Sequence, residues 1–174
     1  MHADQEHMRT IVVGVDGSPA SLSALRWAEA LAYTDTTIRA VRSWAAPLTV
    51  ASSSVSLAEL EADATRQLDH ALAQVPAGSL PRTTAIVRDI SAAAALLDES
   101  RDADLLVTGT RGLNKLERLL LGSVAVQCAQ HASCPFIAVP QLSDLPGVRI
   151  TVGYDNSDAA QAAQGGGELA LAAG

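Results

Sequence analysis

Residues Arg9 to Pro19 read RTIVVGVDGSP, a short β-branched run that stops at Asp16-Gly17-Ser18-Pro19. Ser18 suits a helix N-cap because its hydroxyl accepts an N–H of the first turn. Proline is tolerated just inside a helix, where a missing N–H costs nothing. The predicted order is therefore strand, turn, helix. The helix runs to about Tyr33, with Leu22, Leu25, Ala28, Leu31 and Ala32 at the spacing of one apolar face.

The same alternation continues outward. A second strand is predicted at about Thr37–Arg42, and the Pro-, Ser- and Thr-rich stretch Ala45 to Ser56 reads as a connection that can lie over a ligand. Leu57, Leu60, Ala64, Leu68, Leu72 and Val75 then recur three or four residues apart, the clearest amphipathic helix in the chain, ended by Pro76, Gly78 and Pro81. Thr83–Arg88 is a strand candidate. Ser91–Ser100 is a short helix whose Ala92–Leu97 stretch is apolar almost all round, which implies burial. Asp104–Thr108 is a strand that runs into Gly109, Gly122–His131 a helix, and Pro135–Val139 a last strand. Strands alternating with helices of this size predict an α/β fold: a doubly wound, mostly parallel five-stranded sheet with helices on both faces, Rossmann-like in layout. Ligands of such sheets sit beyond the carboxyl ends of the strands, where Asp16 and Gly109 both fall.

The 174 residues suffice for one domain with a buried core and a remnant of a second. Only five residues are aromatic, so the core must be built from Ala, Val, Leu and Ile. A net charge of −7 argues against a nucleic-acid or anionic-membrane partner, because both require a basic face. The polar, acidic start lacks a secretion signal and no apolar run reaches membrane-span length, so the expected location is the cytoplasm. Cys128 and Cys134 are too few for a disulfide framework and read as small buried hydrophobes.

A shift of 139 residues lays Ile150-Thr-Val-Gly-Tyr-Asp-Asn-Ser157 over Ile11-Val-Val-Gly-Val-Asp-Gly-Ser18, with Ala159, Ala163 and Glu168 on Ala20, Ala24 and Glu29. The expected organisation is a tail over 1–8, one domain over 9–140, a linker over 141–148 and an incomplete second repeat over 149–174, too short to bury a core by itself. Gly165-Gly166-Gly167 interrupts its helix. Weak order is expected there unless it pairs with another chain.

Chemistry concentrates at Gly109-Thr-Arg-Gly112 followed by Gly122-Ser123, a G-x2-G-x9-G-S pattern that begins at the mouth of a strand and ends where a helix opens. Glycines let backbone N–H groups approach an anion, and a helix N-terminus adds about half a positive charge, so phosphate is the natural guest. Arg111, Lys115 (the only lysine) and Arg118 add basic charge beside the loop. Neither the P-loop nor the dinucleotide G-x-G-x-x-G pattern is present. The glycines alone are equally compatible with turns and the cations with a solvated surface.

Val13-Gly-Val-Asp-Gly-Ser18, Ala103-Asp-Leu-Leu-Val-Thr-Gly-Thr-Arg-Gly112, Gly122-Ser-Val124 and Pro135-Phe-Ile-Ala-Val-Pro140, in this order, resemble the universal stress protein family over about Arg9 to Pro140, and weakly over Ile150–Ala170 as in a tandem member. The resemblance implies ATP, with Mg2+ left open, as ligand. It implies phosphate and ribose contacts at Gly109, Gly112, Gly122, Ser123 and Val124, a nucleotide contact at Asp16, adenine against Val41, and backbone contacts from Gly14 and Thr108. Asp16 also fits a turn-capping carboxylate and Val41 plain core. Arg88-Asp-Ile-Ser91 departs from the Gly and Pro common in that turn of the family, which puts one wall of the site in doubt. The resemblance further implies a homodimer through the last strand, Phe136–Val139.

No catalytic constellation is visible: His2, His7, His70 and His131 are scattered without metal-ligand spacing, and Asp102 and Asp104 read as solvated or capping. The expected function is a nucleotide-dependent stress-response regulator, not an enzyme, with at most slow ATP hydrolysis. The alternative is a dimerisation or scaffold module of the same fold that binds no nucleotide. An ATP-cleaving or adenylating enzyme ranks last, since its S-G-G-x-D-S type of loop is missing.

Overall fold

In the computed structural model the described residues are 9–32, 35–45, 56–76, 78, 80–88, 91–112 and 121–141. The expected tail over 1–8, most of the linker, the second repeat over 149–174, Lys115 and Arg118 lie outside them. Elements alternate as β1 (Arg9–Gly14), α1 (Pro19–Leu31), β2 (Thr36–Trp44), α2 (Leu57–Ala73), β3 (Arg82–Arg88), α3 (Ala92–Glu99), β4 (Leu105–Gly109), α4 (Ser123–His131) and β5 (Phe136–Val139). The strands form one sheet in the order β3-β2-β1-β4-β5, and every pairing is parallel.

Period-2 alternation divides the apolar side chains between two layers. Ile11, Val13, Ile38, Ala40 and Val107 pack with Leu22, Leu25 and Ala28 of α1 and with Leu68 and Ala71 of α2. Val12, Val41 and Leu106 face the other way, against Ala93 and Leu96 of α3 and Cys128 of α4. Helices therefore cover both faces, and the small side chains of Ala24, Ala28 and Ala93 let them approach closely. The doubly wound α/β expectation holds, and the sheet is entirely parallel.

Local signals account for the helix starts. The Ser18 hydroxyl accepts the Ser21 N–H at 3.2 Å and Pro19 opens α1. Ser56 and Glu59 form a reciprocal capping box at α2, in which bonds from Ser56 hold the Glu59 carboxyl below its usual range. Ser18 is 2% exposed and also donates to the Arg111 carbonyl at 3.3 Å, tying α1 to the loop after β4. Ser18→Ala is expected to cost about 1–2 kcal/mol, read as a lower urea midpoint with an unchanged slope.

Two expectations need correction. Ala92–Leu97 is not buried all round: Ala93, Ala95 and Leu96 are buried but Ala94 is exposed, because α3 packs on the sheet along one side only. Leu57, placed on the apolar face of α2, is 39% exposed; burial begins at Ala64, since the first turns overhang the sheet.

Candidate functional site

The chain passes from β1 to β2 and β3 on one side, then returns to lay β4 and β5 on the other, so the order reverses between β1 and β4. Loops leaving these neighbours depart toward opposite faces and leave a crevice beyond their carboxyl ends. A cavity of about 530 Å3 occupies that crevice, within the range of about 300–1,000 Å3 usual for ligand sites. Gly14 and Asp16 line it from the end of β1, Val41 from β2, Thr108 and Gly109 from β4, Gly112 from the following loop, and Gly122, Ser123 and Val124 from the start of α4. All nine residues singled out in the sequence thus meet around one cavity.

One end of the cavity is built to attract negative charge. The N-cap of α4 is Gly122, in extended conformation (φ −74°, ψ 161°), and no side chain bonds to the first turn, whereas Ser18, Ser56 and Ser91 cap the other described helices. The Gly122 N–H donates to the Thr110 carbonyl at 2.7 Å, and the Thr110 N–H to that of Val139 at 2.8 Å. These bonds fix the loop to the sheet at both ends and leave the α4 dipole facing the cavity. The exposed Arg111 is also in the wall.

The three loop glycines serve different needs. A Cβ at Gly109 would stand 2.7 Å from the Ala20 carbonyl carbon and 2.8 Å from the Ser21 nitrogen, so α1 itself requires glycine there. A Cβ at Gly112 would meet Asp16 Oδ2 at 2.7 Å. At Gly122 the nearest atom would be the Thr110 carbonyl oxygen at 3.4 Å, an ordinary contact. Asp16 Oδ1 accepts the Ser18 N–H at 2.9 Å, so the turn-capping alternative is part of its role, while Oδ2 faces Gly112. Gly17, at φ +83°, lets the chain turn between Asp16 and Ser18.

The other end is drier. Val41 (1% exposed) and Leu96 (5%) belong to the core layer beside α3 and also line the cavity, with Ala92. Thr108 is 4% exposed and its Oγ1 has no hydrogen-bond partner, the kind of buried polar atom that a bound ligand satisfies. Arg42 and Ser43 complete this end. Sequence reasoning missed both; the available signal was their position directly after Val41 at the carboxyl end of β2. Of the departing turn, Ser91 caps α3 through the Ala94 N–H, while residues 89 and 90 lie outside the described part.

Burial, with Cys134 nearby, pushes the Cys128 thiol up to about 11, and burial also raises Cys134. Cys128 is buried in the core as expected, whereas Cys134 is only half-buried at the edge of the same cluster. Among the described residues no three His, Cys, Asp or Glu side chains gather as a metal site, and no helix is long and apolar enough to cross a membrane.

The model of the Universal stress protein family matches residues 7–140. Universal stress protein Rv2623 of Mycobacterium tuberculosis is 31% identical over 169 residues, covering 88% of this chain and 56% of that protein. The chain spans a little over half the length of the first curated relatives it matches. Universal stress protein UspA from Lactobacillus plantarum superposes with a TM-score of 0.53 at 22% identity, covering 76% of this chain and 97% of that one. A universal stress protein solved in complex with cAMP gives 0.51 at 24% identity, covering 78% and 98%. Both share the fold described above.

Proposed function

This chain belongs to the universal stress protein family, and on that premise we propose that it binds an adenine nucleotide, ATP, in the β1/β4 crevice and acts as a nucleotide-dependent stress-response regulator. The observation that carries the reading is the α4 N-terminus, free of any side-chain cap, opening with Gly112 and Asp16 onto a cavity lined by all nine residues. Phosphates sit against the backbone of Gly112, Gly122, Ser123 and Val124, with the Ser123 hydroxyl as a further donor. Asp16 reaches the ribose, Gly14, Thr108 and Gly109 border the sugar, and the base lies against Val41 and Leu96. A family neighbour solved in complex with cAMP supports an adenine nucleotide as the class of ligand.

The chain's own groups bind and orient the nucleotide. Among the described lining residues the candidate base is Asp16, already engaged as acceptor of the Ser18 N–H, and on this reading bound ATP is turned over slowly. Among the described lining residues Asp16 is the one carboxylate, and it favours a magnesium-bound triphosphate. On the same reading a homodimer forms through β5, the edge strand of the described sheet, and the sequence of residues 149–174 partly repeats that of β1 and α1.

Thermal unfolding of the nucleotide-stripped protein tests the reading. Ligand at one hundred times its Kd adds about 2.7 kcal/mol, several degrees of Tm for a domain of this size. ATP is expected to raise Tm by that order and inorganic triphosphate by less. No shift with any nucleotide would overturn the binding reading and favour the dimerisation module that the β5 edge permits.

A further inference from the structure

Arg42 follows Val41 on β2, lines the cavity, and does not belong to the glycine loop. Its Nη2 donates to Gln67 Oε1 on α2, while its Nε and Nη1 are buried with no hydrogen-bond partner. The Gln67 amide is oriented from its other end, because Nε2 donates to Asp63 Oδ2 at 2.5 Å and Asp63 in turn pairs with Arg66 at 3.1 Å. A flipped amide would set donor against donor at Arg42 and acceptor against acceptor at Asp63. The α2 surface therefore holds the guanidinium in one orientation and leaves two of its nitrogens for another acceptor. A guanidinium cannot discharge by losing its proton, so those N–H groups carry an unmet demand inside the wall of a ligand-sized cavity.

Position decides what meets that demand. In the strand order β2 is separated from β4 by β1, so Arg42 stands two strand spacings, about 10 Å, from the strand that carries the phosphate loop. A nucleotide whose phosphates rest on the α4 N-terminus extends its base toward the carboxyl end of β2, where Val41, Leu96 and Ala92 offer apolar contact on the α3 side of the sheet and Arg42 stands on the α2 side. We propose that Arg42, oriented by Gln67, is a specificity-determining residue that donates to a ring-nitrogen acceptor on the edge of the bound purine. The proposal rests on the nucleotide reading of the cavity and adds the residue that reads the base.

The test compares ATP with inorganic triphosphate, on the wild type and on Arg42→Met, which keeps the length of the side chain and removes its donors. Arg42→Met is expected to bind ATP about tenfold more weakly, the loss of one charge-assisted hydrogen bond, and to bind inorganic triphosphate as the wild type does. Unchanged triphosphate affinity also reports that the variant is folded. One member of a deaza-ATP series, each with one ring nitrogen replaced by carbon, is expected to bind the wild type about tenfold more weakly and to be indifferent to the substitution. Gln67→Met, which touches only the orienting amide, is expected to show the same selectivity at smaller amplitude. Equal weakening of ATP and triphosphate, or no weakening of either, would overturn the role of Arg42 and leave the phosphate loop standing. Failure of the wild type to bind either ligand would instead overturn the nucleotide reading.

Discussion

Glu29→Ala is expected to lower the stability of the fold by about 3–5 kcal/mol, the largest single effect among the substitutions considered. Glu29 near the end of α1 and Arg82 at the start of β3 pair with side-chain exposures of only 10% and 13%. Arg82 Nε and Nη2 both donate to Glu29 Oε1, Nη1 donates to the Val75 carbonyl and Nη2 to the Pro76 carbonyl at 3.0 Å each, and Glu29 Oε2 accepts the Gly78 N–H. One carboxylate thus holds the end of α1, the segment after α2 and the first residue of β3 together. Its removal leaves a guanidinium desolvated and unneutralised, which costs far more than the net worth of the pair. The Glu29→Ala, Arg82→Met double variant removes both charges and is expected to be more stable than the sum of the single losses predicts. Urea unfolding of the four proteins measures this; a single-variant loss under about 1 kcal/mol would mean that water reaches the pair. The pair belongs to the amino-terminal edge of the sheet, so nucleotide affinity is expected to survive wherever the protein is folded.

The second large effect separates packing from ligand contact within the glycine loop. Gly109→Ala forces a methyl group into the backbone of Ala20 and Ser21 and against the Ala20 methyl, at 2.7 to 2.9 Å. Neither α1 nor β4 can yield without disturbing Val107, Leu22 or Leu25, so the cost falls at the upper end of the roughly 1–3 kcal/mol usual for overpacking. Gly122→Ala meets nothing closer than 3.4 Å, in a conformation any residue adopts, and is expected to stay within about 1 kcal/mol of the wild type. Melting temperatures of the two variants, measured without ligand, decide the matter; equal losses would contradict the distinction.

The contrast shows what the sequence could and could not reveal. The strand–turn–helix of Arg9 to Pro19 was legible because its causes are local: β-branched residues, a serine cap, a proline in the first turn. Asp16 and Gly109 were legible because a parallel α/β order puts its ligand beyond the ends of its strands, and Gly122 because the glycine pattern ends where a helix opens; Val41 came only from the family resemblance. What escaped depends on contacts between distant residues. Glu29 and Arg82 lie 53 positions apart, and Arg42 depends on Gln67, 25 positions on. Arg42 reads locally as an ordinary charge on a strand. The need for glycine at 109 arises from a helix that begins some 90 residues earlier, so spacing suggested an anion contact where packing is already sufficient cause. Leu57 was misread because amphipathic spacing gives the direction of a face and not how far the helix overhangs its sheet, and Ala94 because an apolar stretch does not tell how many sides of its helix are covered.

On the proposed reading the crevice between β1 and β4 binds ATP through the open N-terminus of α4. The most direct test of that reading is calorimetric titration of nucleotide-free protein with ATP and Mg2+, beside Gly122→Val, whose side chain occupies the approach to the first-turn N–H groups while the backbone conformation stays allowed. Saturable binding near one ATP per chain is expected for the wild type, lost in a variant that melts within a few degrees of it. A wild type that shows no saturable heat, or a variant that binds as tightly as the wild type, would contradict the reading.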